Sequence, residues 1–138
     1  MTLNQVHSRL ADETMRGTYQ YAPIKIILAK VLSKNKSGKE TLGFVEGDYM
    51  EHSIADIDLP CLSQGDYLLF LQAEWTVLNP WRKLITNIYA PDPLEIRRVP
   101  TSPELDTLFA HMDKMMNQRL AQGSDYNLPE YAVKEILA

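Results

Sequence analysis

Cysteine is nearly absent from this 138-residue sequence, in which Cys61 is the single thiol. One cysteine cannot form an internal disulfide, and it cannot hold a structural zinc ion without other ligands. Long hydrophobic runs are missing as well. The longest, Ile24 to Leu32 and Tyr67 to Ala73, are the length of a strand, whereas a membrane-spanning helix needs about 20 apolar residues. We therefore expect a soluble protein in a reducing, intracellular compartment.

An excess of basic charge is also lacking. The chain has 14 Lys and Arg residues against 18 Asp and Glu residues, which gives a net charge of −4. General nucleic-acid binding depends on Lys and Arg side chains that neutralise phosphates, so no nucleic-acid partner is expected. The first residues contain no basic stretch followed by an apolar core, which favours the cytoplasm over secretion.

The chain length predicts one hydrophobic core, because 138 residues lie within the commonest domain size. Residues 1–17 are predicted to be an N-terminal extension with a short helix, since Leu3, Val6 and Leu10 recur every three to four residues. Residues 18–100 are predicted to form an antiparallel β-sandwich, and residues 101–138 a C-terminal helical segment. The expected fold class is therefore mainly β, an antiparallel β-sandwich with C-terminal α-helices.

The predicted strands are short runs of β-branched and aliphatic residues separated by turn residues. They are Ile24 to Leu32, Thr41 to Glu46, Tyr49 to Ile54, Tyr67 to Val77, Leu84 to Ala90 and Leu94 to Val99. A bend is predicted at Gly47-Asp48 and a turn at Pro91-Asp92-Pro93. Both faces of the first half of Tyr67 to Val77 are apolar, which predicts a central strand buried on both sides.

A helix is predicted to begin after Ser102. The stretch from Ser102 to Glu104 combines an N-cap, a proline at the first helical position and a first-turn acid. The apolar residues that follow recur at helical spacing: Leu105, Leu108, Phe109, Met112, Met115, Met116 and Leu120. Gly123 suits the C-terminal cap. Asn127 and Glu130 resemble a capping box, which predicts a short closing helix that contains Tyr131, Val133 and Ile136.

One stretch resembles a known family. From Leu59 to Trp75 it reads Leu-Pro-Cys-Leu-Ser-Gln-Gly-Asp-Tyr-Leu-Leu-Phe-Leu-Gln-Ala-Glu-Trp, and Leu84 to Ala90 follows after a loop. A strand that starts at Gly-Asp-Tyr and ends at Glu-Trp is similar to the β-sandwich, the domain III or C2-like region, that follows the protease domain in calpain-like proteins, particularly those of protists. The resemblance implies contacts with calcium, phospholipid or neighbouring domains. It also implies that a strand finishing near Tyr89 pairs with the strand ending at Trp75.

In calpain-like proteins catalysis belongs to a separate domain, in which a His activates a Cys thiolate and an Asn orients the His. The candidates in this chain are Cys61, His52 and Asn79. The segment Asn79-Pro80-Trp81 is similar to the family's Asn-Pro-Trp-Gly, but Arg82 replaces the glycine, and the family's Cys and His motifs are missing. The resemblance therefore implies a noncatalytic module with no cofactor, and a divergent cysteine protease is the least favoured hypothesis.

Two charged clusters offer alternative binding sites. Carboxylates that Ca²⁺ would accept as ligands occur at Glu46, Asp48, Glu51, Asp56 and Asp58. Their spacing is not that of an EF-hand, and a solvated acidic surface is the simpler interpretation. The calcium alternative uses Glu46, Asp48, Asp56 and Asp58. Basic residues around the first hairpin form either a solubilising loop or a contact for anionic lipid, and they are Lys30, Lys34, Lys36 and Lys39.

Five side chains are predicted to contact partner proteins: Trp81, Tyr89, Phe109, Met112 and Met116. Aromatic residues anchor many interfaces, and methionines adapt to varied partners, although they also pack helices onto sheets. The leading hypothesis is a noncatalytic calpain-like β-sandwich that serves as a protein-interaction or structural subunit of a larger intracellular assembly. The assembly is placed in the cytoplasm or in a cytoskeletal or ciliary structure. The alternative is a C2-like module that binds calcium and phospholipid.

Overall fold

The computed structural model describes residues 1–5, 21–34, 36, 40–75, 83–122 and 132–134. Within these residues the elements in chain order are β1 (Thr2–Gln5), β2 (Ile24–Lys34), β3 (Glu40–Met50), β4 (Ile54–Asp56), β5 (Tyr67–Ala73), β6 (Leu84–Asn87), α1 (Pro103–Gln122) and β7 (Ala132–Lys134). The predicted class, mainly β with antiparallel sheets and helix in the C-terminal part, is confirmed.

The described strands belong to two sheets. One sheet has the strand order β4-β1-β6, and the other has the order β5-β2-β3-β7. β1 is antiparallel to both of its neighbours, with Leu3 opposite Ala55 on one side and Thr86 on the other. The connection between β2 and β3, residues 35–39, is shorter than the crossover that parallel neighbours need. These two strands therefore form an antiparallel hairpin.

The chain divides into two compact units. The first contains residues 1–26, 48–60 and 71–91, and the second contains residues 27–47, 61–70 and 92–138. The second unit combines α1 with strand residues, so the predicted limits at residues 17 and 100 do not separate the two units. The described apolar residues that are buried in the first unit are Leu3, Ala22, Ile24, Ile26, Ala55 and Ile57.

β1 corrects the prediction for the N-terminal extension. Residues 2–5 form the middle strand of their sheet and not a helix. Leu3 and Gln5 are buried while Thr2 and Asn4 are partly exposed, and this alternation has the period of a strand. A middle strand also satisfies its backbone groups on both sides. The remainder of the predicted helix, residues 6–16, lies outside the described residues.

α1 covers the core of the second unit. The amide of Leu105 donates a hydrogen bond to Ser102 Oγ at 3.2 Å, so the predicted N-cap is confirmed. Gly123, the predicted C-cap, lies outside the described residues. The buried core residues are Ile27, Ala29, Leu42, Phe44, Met112 and Met116, and Val31, Leu68, Phe70, Leu108, Phe109 and Met115 pack against them. Among the described residues, no helix combines the length and the apolar character that crossing a membrane requires.

β2, and not β5, is the buried strand. Ile24 and residues 26–29 are buried. β5, in contrast, lies at the edge of its sheet among the described strands, beside β2, and none of its residues is fully buried. The prediction of a central strand from Tyr67 to Val77 is therefore wrong, and β5 already ends at Ala73. Both strands read as continuous apolar runs, and such a run does not by itself specify which strand occupies the middle of a sheet.

Further strand boundaries and pairings differ from the predictions. β3 continues through Gly47-Asp48 to Met50, so the predicted bend at this position is wrong. Residues 94–99 form no strand. β6 ends at Asn87 and pairs with β1, so the pairing with the strand before Trp75 that the resemblance implied is wrong. β5 and β6 are close in sequence, but they belong to different sheets.

The predicted closing helix is also wrong over residues 132–134. These residues form β7, which pairs antiparallel with β3 at Leu42, Gly43 and Phe44. The backbone groups on that side of β3 thereby gain hydrogen-bond partners, and this gain outweighs the capping pattern at Asn127 and Glu130. The rest of the predicted closing helix lies outside the described residues.

Gly65 precedes β5 with a backbone φ of +154°, and a Cβ added there would lie 3.2 Å from Lys30 Cε. Gly65→Ala is expected to lower the free energy of unfolding by about 1–2 kcal/mol, because side chains disfavour positive φ. Urea denaturation measures the effect, and Gln64→Ala at the exposed neighbouring position should change stability by less than about 0.5 kcal/mol. Equal midpoints for Gly65→Ala and the wild type would show that the position tolerates a side chain.

Candidate partner-binding surface

The methionines predicted to contact partners lie inside the protein. Met112 and Met116 are buried, and both belong to the core cluster formed with Phe44 and Leu42. Their spacing of four residues places them on the same face of α1, the face that covers the strands of the second unit. A buried side chain cannot reach a partner in the folded protein, so the prediction of partner contacts at Met112 and Met116 is wrong.

Phe109 is also turned mainly toward the core. It is partly buried and packs against the core cluster, and its ring is tilted against the ring of Phe70 with a centroid distance of 5.7 Å. Tilted aromatic pairs of this kind stabilise protein interiors. The main role of Phe109 is therefore to hold α1 against β5, and only its exposed edge is available to a partner.

Tyr89 follows β6 in the first unit and is 82% exposed. A large aromatic side chain left in water is the kind of residue that anchors protein interfaces. Trp81, the other aromatic residue predicted to contact a partner, lies outside the described residues. A partner contact at Tyr89 remains a prediction, and the side chain is accessible for it.

Residues 92–101 of the second unit, named the proline-bounded segment, are exposed at every position and form neither helix nor strand. Pro93 and Pro100 have a fixed φ and no amide donor, and each restricts the preceding residue to extended conformations. The run between them has the alternation of a strand, which explains the strand prediction for 94–99. The prolines provide the physical reason why this run stays out of the sheets.

Side chains alternate along the proline-bounded segment. Arg97 donates from Nε to Glu95 Oε1 at 2.8 Å, and side chains two residues apart lie on the same side of an extended chain. Leu94 and Ile96 lie on the other side, where they are 57% and 68% exposed, and Val99 is more than half exposed as well. The segment thus presents aliphatic side chains to solvent, while Glu95 and Arg97 neutralise each other.

A smaller apolar row lies on the first unit. Ile54 of β4 and Ile85 of β6 both lie opposite Asn4 of β1, so the three side chains stand in one row across a sheet face. Both isoleucines are nearly half exposed. Asn4 Nδ2 donates to Thr2 Oγ1 at 2.8 Å, so a polar side chain separates the two isoleucines. Ile54 and Ile85 are therefore a weaker candidate and a suitable matched control.

Two of the four carboxylates considered for calcium bind other groups of the chain. Arg119 Nη1 donates to Glu46 Oε1 at 3.0 Å, and the backbone amide of Asp56 donates to Asp48 Oδ2 at 2.9 Å. Asp58 is exposed. Within the described ranges, no three His, Cys, Asp or Glu side chains are grouped so as to hold a metal ion. The geometry therefore gives no support to a calcium site at Glu46, Asp48, Asp56 and Asp58.

The lysines considered for lipid binding have different surroundings in the structure. Lys30 Nζ donates to Ser63 Oγ and lies 5.8 Å from the centroid of the Tyr67 ring, so this lysine stabilises the turn before β5. Lys34 and Lys36 are exposed, and Lys39 lies outside the described residues. Contact with anionic lipid remains a prediction for the exposed lysines.

His52, one of the residues compared with a cysteine-protease site, is held by neighbours in the first unit. Its Nδ1 lies 3.1 Å from Ser53 Oγ, and its ring stacks on that of Tyr21 at a centroid distance of 5.3 Å. Cys61 is an exposed free thiol, and Asn79 lies outside the described residues. These surroundings give His52 a structural explanation without reference to catalysis.

Sequence reasoning missed Gln5, which is buried in the first unit. Its Nε2 donates to the carbonyl oxygens of Ala22 at 2.7 Å and His52 at 3.0 Å. Its Oε1 accepts a hydrogen bond from the Ala22 amide at 3.0 Å. One amide side chain thus joins three separate parts of the chain. Gln5 lies two residues after Leu3, so in a strand both side chains lie on the same, buried face. This spacing is the sequence signal for the position of Gln5.

No family model, curated protein or solved structure matches this chain. The function is therefore inferred from the chemistry of the chain's own surfaces.

Proposed function

We propose that this chain is a noncatalytic, calpain-like β-sandwich module that serves as a protein-interaction or structural subunit of a larger intracellular assembly. The observation that carries the proposal is the exposure of Leu94, Ile96 and Val99 along the proline-bounded segment. The calpain-like part is supported by the residues from Leu59 to Trp75 and agrees with a mainly β fold.

The proline-bounded segment offers a partner apolar contact area. Fully burying a Leu or Ile side chain contributes about 1.5–3 kcal/mol relative to leaving it exposed, and Leu94 and Ile96 are more than half exposed. Single exposed apolar residues are common on protein surfaces, whereas contiguous ones mark binding sites. Leu94 and Ile96, which share one side of the segment, therefore favour association with another protein.

The two prolines remove part of the conformational freedom that the segment would lose on binding. Pro93 and Pro100 restrict the unbound chain, and such restriction reduces the entropy cost of association. Extended peptides are bound by open sheet edges or by apolar grooves, where alternate side chains enter pockets. Leu94 and Ile96 have the spacing that such pockets require.

The noncatalytic part of the proposal is supported by the sequence. Arg82 stands where the family has a glycine, and the family's Cys and His motifs are missing. The lone Cys61 supports a reducing compartment, so the cytoplasm, including its cytoskeletal or ciliary structures, is the proposed location.

The double substitution Leu94→Ser/Ile96→Ser is expected to weaken partner binding about tenfold or more, because two apolar contacts are lost. The tagged protein is purified from cells of its own source, and co-purifying proteins are quantified by mass spectrometry after chemical cross-linking. Cross-links that map to residues 92–101 identify the contact. The thermal unfolding midpoint should stay near that of the wild type, since both side chains are exposed.

Ile54→Ser/Ile85→Ser is the matched control, because it also removes two exposed aliphatic side chains. Partners should remain bound to this control variant. Equal recovery of partners by the wild type and Leu94→Ser/Ile96→Ser would contradict the proposed role of the segment. An equal loss of co-purifying partners in the two double variants would show that the partners bind exposed apolar side chains in general and not this segment.

A further inference from the structure

The open side of β5 differs from the sheet edges that β4 and β6 form in the described part of the chain. β5 has β2 as its only described strand neighbour, and from Tyr67 to Ala73 it contains no charged residue, proline or glycine. Natural proteins protect exposed edge strands with charges, prolines, bulges or short strand length. An unprotected edge of this kind is a template for pairing with another strand.

β4, in contrast, is a protected edge. It spans only Ile54–Asp56, and the Asp48 carboxylate accepts the backbone hydrogen bond of Asp56 at 2.9 Å. β6 is similarly short, with four residues, and exposed Lys83 precedes it. The chain thus blocks or shortens these edges and leaves β5 long and uncharged.

The hydrogen bonds at the two ends of β5 show which backbone groups face outward. The Val31 amide donates to the Asp66 carbonyl oxygen at 2.9 Å, and the Glu74 amide donates to the Pro23 carbonyl oxygen at 2.9 Å. These two bonds are in register, and in an antiparallel ladder alternate residues bond to the same neighbour. The even-numbered residues of β5 therefore bond to β2. Tyr67, Leu69, Leu71 and Ala73 direct their amides and carbonyls to the open side.

We propose that two copies of this chain pair through β5, as antiparallel strands related by a two-fold axis at Leu69. Two identical uncharged strands place no like charges opposite each other, and their outward amides and carbonyls are complementary by symmetry. Leu71, which is 43% exposed, then lies opposite Tyr67 of the second copy. Aliphatic and aromatic residues form favourable cross-strand pairs.

The charges at the two ends of β5 select this register. Asp66 and Glu74 flank the uncharged run, and with the axis at Leu69 each acid meets a glutamine: Asp66 lies opposite Gln72, and Glu74 opposite Gln64. An axis shifted between Leu69 and Leu71 would instead place Asp66 opposite Glu74, and like charges across strands are destabilising. The polar ends thus add hydrogen bonds in one register and repulsion in the other.

Sedimentation equilibrium of the purified full chain tests the proposal, and a reversible dimer with a dissociation constant on the order of 1–100 μM is expected for a contact limited to one strand pair. Leu71→Lys should raise this dissociation constant at least about tenfold, since it introduces a charge into the shared strand pair. Leu62→Lys is the matched control, because Leu62 is 44% exposed and lies outside β5. A wild-type monomer up to about 100 μM, or equal dimerisation of wild type and Leu71→Lys, overturns the proposal.

Cross-linking tests the register independently. In a Cys61→Ser background, Leu69→Cys should oxidise to a covalent dimer, because facing residues in an antiparallel pair lie within disulfide reach. Leu71→Cys should not, since the axis separates the two copies of residue 71. Equal cross-linking at both positions would overturn the register. The dimer is independent of the partner contact, so Leu94→Ser/Ile96→Ser should dimerise as the wild type does.

Discussion

Met112→Ala is expected to lower the free energy of unfolding by about 2–5 kcal/mol, the usual cost of removing a large apolar side chain from a core. Met112 is buried and contacts the strands of the second unit as part of its core cluster. Its removal leaves a cavity that the neighbouring Phe44 and Leu42 side chains cannot fill without leaving their own positions. Urea denaturation followed by circular dichroism measures the loss.

Leu120→Ala on the same helix is the matched control for Met112→Ala. Leu120 is 64% exposed, so its truncation should change stability by no more than about 0.5 kcal/mol. A similar loss in both variants would show that the burial of Met112 does not determine the response, because Ala has the highest helix propensity and does not itself weaken α1. A Met112→Ala protein of normal stability that fails to bind partners would restore Met112 as a contact residue and contradict its position in the core.

Gln5→Ala is expected to lower the free energy of unfolding by about 3 kcal/mol. The substitution leaves the amide and carbonyl of Ala22 and the carbonyl of His52 without the partner that Gln5 supplies. Each buried polar group that loses its hydrogen bond costs about 1–3 kcal/mol, and Ala22 is fully buried. Water that enters the space vacated by the side chain can bind these groups, so the expected loss is smaller than the summed cost of three unpaired groups. Chemical denaturation monitored by tryptophan fluorescence measures the loss.

Asn4→Ala provides the comparison for Gln5→Ala on the same strand. Asn4 is partly exposed, and its Nδ2 donates to Thr2 Oγ1 at 2.8 Å and to the Ile85 carbonyl oxygen at 3.3 Å. Because water can replace these hydrogen bonds, a loss of no more than about 1 kcal/mol is expected. Losses of the same size at the two positions would refute the special role of Gln5.

α1 was predictable because two local signals coincide there. Ser102 begins the helix with its side-chain cap, and the apolar residues that follow repeat with a helical period. Both signals depend on neighbours within a few positions in sequence, so they can be recognised without knowledge of the tertiary structure. The same reasoning left the face of Met112 and Met116 undecided, since a period shows that residues share a face but not what covers it.

The sheet pairings were not predictable in the same way. β1 joins residues 54–56 and 84–87, and β7 joins β3 at Leu42, Gly43 and Phe44. These pairings are decided by backbone groups and apolar surface distant in sequence. β5 and β2 carry similar apolar runs, and only their order in the sheet distinguishes the edge from the interior.

The proline-bounded segment could be predicted only in part from the sequence. The alternation of Leu94 and Ile96 with Glu95 and Arg97 predicts a strand, but residues 94–99 pair with no described strand and are exposed. The flanking prolines were the signal that distinguishes an exposed extended segment from a paired strand. Tyr89, in contrast, was predicted to be a contact residue and is accessible.

β1 has a consequence for how the chain is made. It leaves the ribosome before both of its partner strands, and it pairs as the middle strand of its sheet with residues as far along as Asn87. At the usual rate of about 5–20 residues per second, translation needs several seconds to deliver its second partner strand. Throughout that interval Leu3 and the backbone of β1 lack one of their native neighbours. A nascent chain stalled before residue 84 is therefore expected to be a good substrate for chaperones, whereas one that has released β6 is not.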